Sequence, residues 1–197
     1  MRNRWLVLAL VSGMLLAACG SAGPEAAGNS EGIQVHGDWT ITVYNEDGTL
    51  NQQVEFSNAL LPEGEFDITK VLAGDFTAGP WAIWLFGDSG SAPCSPSCVI
   101  GEPNFPTSAA SKNLTATAAN AEPHMLSLNG TVIAEQDGVI DRVGSDMEAC
   151  TSDTTPDDCI SDNLDGADLF TETSITPVNV TAGQSIAVSV DVSFTSN

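Results

Sequence analysis

Apolar and polar residues alternate along much of this chain with a period of two, the signature of half-buried β-strands. From Ile33 to Tyr44, Val35, Gly37, Trp39, Ile41 and Val43 share one side, and His36 falls out of phase with them, toward solvent. Asn45-Glu46-Asp47-Gly48 then turns the chain. Leu50 to Phe56 places Leu50, Gln52, Val54 and Phe56 on one face, so the two stretches predict a hairpin. A single short helix of about two turns is expected next: Pro62, Glu63, Glu65 and Asp67 crowd its start, Ile68, Val71 and Leu72 share a face, Lys70 lies late and Gly74 marks the stop. Trp81-Ala82-Ile83-Trp84-Leu85-Phe86 is apolar on both faces and bounded by Gly79-Pro80 and Gly87, which predicts a central strand covered on both sides. Further strands are expected over Leu114–Ala118, Met125–Ala134 and Val139–Val143, with Gln136-Asp137-Gly138 as a turn. Last come Phe170–Val180 and Ser185–Phe194 around Ala182-Gly183-Gln184, with Ile186, Val188, Val190, Val192 and Phe194 pointing one way. Strands at this spacing with one small helix predict an all-β protein, an immunoglobulin-like antiparallel β-sandwich.

The N-terminus follows a different pattern. After Arg2 and Arg4, Trp5 to Ala18 is apolar except for Ser12 and Gly13, too short to span a bilayer, which takes about 20 apolar residues. Leu16-Ala17-Ala18-Cys19 closes the run and resembles the lipobox of bacterial lipoproteins. That resemblance implies that residues 1–18 are a cleaved signal peptide, that Cys19 is acylated and becomes the first residue, and that the lipid bilayer is a partner. The chain is then expected in the cell envelope, outside the cytoplasm. Gly20, rather than an aspartate, after the cysteine implies the outer membrane in a Gram-negative cell. Residues 19–32 are small and polar without apolar periodicity, as a flexible tether requires. A single domain over 33–197 follows; with 42% hydrophobic residues in the chain, it is long enough to enclose a core.

Charge narrows the partners. The chain carries 26 acidic residues against 5 lysines and arginines, a formal charge of −21. Loss of residues 1–18 removes Arg2 and Arg4 and leaves only Lys70, Lys112 and Arg142, too few to neutralise a phosphate backbone. Nucleic acid is therefore excluded. Anionic headgroups would repel such a surface, so acyl chains must do the anchoring. Solubility, a saline habitat and divalent-cation binding all account for the acids.

With Cys19 given to lipid, four cysteines remain in an oxidising compartment, and two disulfides are expected. Cys94 with Cys98 and Cys150 with Cys159 are the pairings favoured by proximity and by the turn-forming residues between them. A zinc site is disfavoured, because these spacings are not those of a finger.

Four constellations bear on chemistry. Between Glu135 and Glu172 lie twelve carboxylates and one base, Arg142. Read from Ser161, this stretch puts Asn163, Asp165, Gly166 and Glu172 at the third, fifth, sixth and twelfth positions of an EF-hand-like loop, but serine replaces the aspartate needed at the first. A looser calcium site from Asp162, Asn163, Asp165, Asp168 and Glu172 is the candidate metal centre, set against a solvated acidic turn. Gly87-Asp88-Ser89-Gly90 resembles the nucleophile loop of chymotrypsin-like serine proteases, yet the histidine segment of that family is missing and His124 follows Ser89 in the wrong order, which favours a local turn. His36 and His124, the only histidines, lie in no ligand-spaced motif. Trp39, Tyr44, Trp81, Trp84 and Phe86 offer an aromatic sugar platform, but their alternation assigns them to the core.

Val54-Glu55-Phe56-Ser57-Asn58-Ala59-Leu60, the helix to Gly74, Trp81–Phe86, Ile175-Thr176-Pro177-Val178 and Thr181-Ala182-Gly183-Gln184 resemble small β-sandwich virion proteins of tailed phages. The resemblance implies a fold and carries no function across. The expectation is a membrane-anchored lipoprotein that is not an enzyme, with a binding or structural sandwich of unknown protein or glycan partner. A carbohydrate-binding module, or a hydrolase using carboxylates and Ser89, is the alternative.

Overall fold

The computed structural model describes residues 33–87, 92–95, 97–105, 109–119, 124–159 and 169–196. In chain order it contains β1 (Ile33–Tyr44), β2 (Leu50–Ala59), α1 (Pro62–Ala73), β3 (Phe76–Phe86), β4 (Cys98–Gly101), β5 (Thr115–Ala118), β6 (Met125–Ile133), β7 (Gly138–Thr151), a 3-10 turn at Pro156–Asp158, β8 (Thr171–Val180) and β9 (Ser185–Ser196). Two antiparallel sheets result, of order β2-β1-β9-β6-β5 and β4-β3-β7-β8. This is the expected all-β sandwich.

The alternation read from the sequence explains its core. Val35, Trp39, Ile41 and Val43 of β1 and Ile186, Val188, Val190 and Val192 of β9 point inward from the first sheet. Ile83 and Leu85 of β3, Val143 and Met147 of β7 and Val178 and Val180 of β8 meet them from the second. Burying each such aliphatic side chain contributes about 1.5–3 kcal/mol. β3 is covered on both sides, as its continuous apolar run predicts: on its far side Ala82 and Trp84 join Val99, Phe105 and Leu169 in a second, smaller cluster.

Several elements differ from expectation. α1 has 12 residues rather than two turns, and ends where Gly74 takes φ 77° and donates its N–H back to Lys70 and Val71. Ile68 and Val71 pack on the core while Leu72 is 81% exposed. Adjacent helical residues diverge by about 100°, so Val71 and Leu72 cannot both face the sheet. β3 begins at Phe76 and passes through Gly79-Pro80 with a register shift between Ala78 and Trp81, since proline cannot donate to the ladder. The loop Gly87–Ser111 contains β4, too short to reveal a period. β7 extends from Gly138 to Thr151, well beyond Val143, because Asp146 and Glu148 are buried there at 8% and 3% exposure, although their polarity reads as loop. Leu50 and Phe194, expected inside, are 58% and 48% exposed at strand ends.

Both disulfides form as expected, Cys94–Cys98 and Cys150–Cys159. The β1–β2, β6–β7 and β8–β9 turns gather at the end of the sandwich opposite Ile33, because Tyr44, Ile133 and Ser185 are neighbours in register. Gln184, 6% exposed, ties the turns together: its amide donates to Asn45 at 2.9 Å and its carbonyl accepts from the Thr181 N–H at 2.8 Å. Asp137 adds a bond from the Ala182 N–H at 2.9 Å.

Candidate functional site

The outer faces of the two sheets have opposite characters. On the four-stranded sheet, Leu61, Phe105, Ala109 and Leu169 pack over Ala82, Trp84 and Val99. Gly144 makes room for this layer, since a Cβ there would lie 2.6 Å from Leu169. The five-stranded sheet turns a polar surface outward instead, built by the other half of the same alternation.

Register arranges that surface in rows. Ser57, Asp38, Asp191, Ser127 and Thr117 align across the five strands, followed by Glu55, Thr40, Ser189, Asn129 and Thr115. Ser57 donates to Asp38 at 2.7 Å, Ser127 donates to Asp191 at 2.5 Å, and Gln53 donates to Glu55 at 2.8 Å. Asp38 and Asp191 are direct partners across β1 and β9, an arrangement that disfavours the sheet because like charges face each other. A groove of about 400 Å³ lies among Asp38, Thr40, Glu55, Ser57, Ser189 and Asp191. A second, of about 260 Å³, shares Thr40 and Ser189 with it and extends to Thr42, Asn129 and Thr131.

The residues singled out in the sequence are distributed otherwise. Asp162, Asn163, Asp165 and Asp168 lie outside the described residues, as do Asp88, Ser89 and the lipobox with Cys19. Glu172 belongs to β8 and pairs with Arg142 of β7 at 2.8 Å. Among the described residues no group of three or more histidines, cysteines or carboxylates is placed to hold a metal ion. His36 projects from β1 and its Nε2 lies 3.3 Å from Gln34; His124 is exposed just before β6.

The aromatic residues are spent on packing. Trp39, 1% exposed, stacks on Phe56 at 5.7 Å, and Trp81 meets the edge of Phe170 at 5.0 Å. Trp84, 3% exposed, stacks on Phe86 at 5.8 Å, and Arg142 lies 4.1 Å above the other ring of that pair. Trp39 and Trp84 are therefore withheld from solvent, while Tyr44, Trp81 and Phe86 are half-buried.

Asp38, Asp191 and the hydroxyl rows escaped sequence reading. Each strand shows its outward polar residues plainly, but which of them meet depends on the register of strands up to 153 positions apart in the case of Asp38 and Asp191. Comparison of the chain with protein-family profiles, curated proteins and solved structures finds no match, and its function is read from this surface.

Proposed function

We propose that this chain is a lipid-anchored envelope lipoprotein whose sandwich is a non-enzymatic binding module, with the open face of the five-stranded sheet as its binding surface. The observation that carries the reading is the asymmetry of the two sheets. One outer face carries a second apolar cluster and a smaller cleft of about 180 Å³ beside Gly79, Pro80 and Glu102, whereas the other bears two larger grooves lined by short hydroxyl, amide and carboxylate side chains. Such groups specify a ligand by hydrogen bonding on a rigid, strand-borne frame.

The lipobox-like Leu16-Ala17-Ala18-Cys19 supports the membrane side of the proposal: acylated there, the chain would gain about 0.8 kcal/mol for each buried methylene, and two chains would make anchoring stable. The domain begins at Ile33, at the end opposite the tied turns.

Site-specific photo-crosslinking in the producing cell tests the proposal. Benzoylphenylalanine at Thr40, within the groove, is expected to capture a discrete partner, and the same group at the exposed helical residue Thr69 is not. Equal adduct patterns from both positions would refute the assignment of this face.

A further inference from the structure

We infer that the open face receives an extended, lysine- or arginine-bearing segment of a partner protein. The inference rests on the reading of that face as the binding surface and specifies its ligand.

Charge complementarity carries it. Glu55, Asp38 and Asp191 line one groove and accept hydrogen bonds from Gln53, Ser57 and Ser127, all uncharged. Among the described residues no lysine or arginine lines either groove. Asp38 and Asp191 are cross-strand partners of like charge, bonded to Ser57 and Ser127 on the flanking strands, and a cationic side chain lying over the β1–β9 pair would offset their mutual repulsion.

Geometry selects the form of the ligand. Asp38 and Asp191 occupy one row, and Glu55 the next, two residues further along the strands. Two residues of a strand advance about 6.8 Å, the distance that also separates side chains i and i+2 of an extended peptide. Cationic side chains at alternate positions thus meet successive carboxylate rows, while serine and threonine hydroxyls are left for the peptide's backbone. Two ligand classes fit less well. A metal ion needs several converging carboxylates, and no such group is formed among the described residues. A polysaccharide ordinarily uses aromatic stacking, but Trp39 and Trp84 are buried.

The test is calorimetric titration of the mature chain as isolated from the producing cell, in detergent at low ionic strength, with acetyl-Lys-Ser-Lys-Ser-Lys-amide. Acetyl-Lys-Lys-Lys-Ser-Ser-amide serves as the equal-charge control. The alternating peptide is expected to bind more tightly, and D38N/D191N to weaken it about tenfold, which corresponds to about 1.4 kcal/mol. Asparagine keeps an acceptor for Ser57 and Ser127, so the sheet is retained, and a thermal melt verifies this. E63Q/E65Q, which removes two charges from α1, is expected to change affinity less than about twofold.

Equal weakening by both variants would overturn the inference by reducing binding to general charge, as would equal affinity for the two peptides. Tighter binding of a glucosamine trimer would replace the peptide with an amino sugar. Calcium that displaces the peptide from the wild type and not from D38N/D191N would make the groove a metal site. Adducts from Thr40 with no response to D38N/D191N would overturn the cationic ligand while leaving the binding face intact; absence of those adducts would overturn both.

Discussion

Trp84 decides whether the tryptophans of β3 serve packing or recognition. Replacing it with alanine removes a side chain that is 3% exposed, stacked on Phe86 and enclosed in the second cluster. An indole buries about 200 Å², which at about 25 cal/mol per Å² contributes about 5 kcal/mol. Two terms reduce the net loss. Alanine retains part of that area, and the buried Trp84 Nε1, which has no hydrogen-bond partner among the described residues, ceases to cost about 1–2 kcal/mol. The expected destabilisation is about 3 kcal/mol, within the range for large core truncations. For a domain of this size it lowers the melting temperature by about 6–12 °C. Trp84→Phe keeps much of the ring and removes the orphan N–H, so it should change stability by less than about 1 kcal/mol. Reversible thermal melts of the oxidised full-length chain measure both. An alanine variant that melts within about 1 °C of wild type would refute the burial, and with it the argument that Trp84 is withheld from a ligand.

Other consequences can be measured in the same preparation. The loops closed by Cys94–Cys98 and Cys150–Cys159 are short, with separations of 4 and 9 residues, so replacing either pair with serine should cost about 2–3 kcal/mol, slightly more for the second; urea titration reads the difference. Gly144→Val would drive a side chain into Leu169 and the Thr171 carbonyl, and should destabilise the protein by more than about 2 kcal/mol in the same titration, whereas Gly48→Asn, in the open β1–β2 turn at φ 81°, should be nearly neutral. The Thr49 hydroxyl and then its backbone N–H hold the Asp47 carboxyl below its ordinary value. The resulting turn stabilisation is present above the unfolded-state pKa and is lost as the pH falls through the folded-state value; carboxyl NMR should show Asp47 titrating below an unfolded reference, and moving toward it in Thr49→Ala.

The fold was legible where one alternation decided the whole element. β1 and β9 show their inward valines, isoleucines and tryptophan at every second position, and β3 shows its double burial as an unbroken apolar run. Legibility failed where burial and polarity part company. Asp146 and Glu148 in β7 read as loop because carboxylates are seldom buried, and Leu72 reads as core because composition cannot say which flank of a helix meets the sheet. The candidate site was hidden for another reason: Asp38 and Asp191 are ordinary outward residues of two distant strands, and only the β1–β9 register makes them a pair. The disulfides were easier, since each joins cysteines close in sequence.

The proposed acyl anchor at Cys19 would tether the sandwich to a membrane. Intact-mass analysis of the protein extracted from membranes of the producing cell tests it most directly. The account predicts a chain that begins at Cys19, carries the mass of its acyl groups and moves to the soluble fraction in Cys19→Ser. An unmodified chain with a different first residue, already soluble in the wild type, would contradict it.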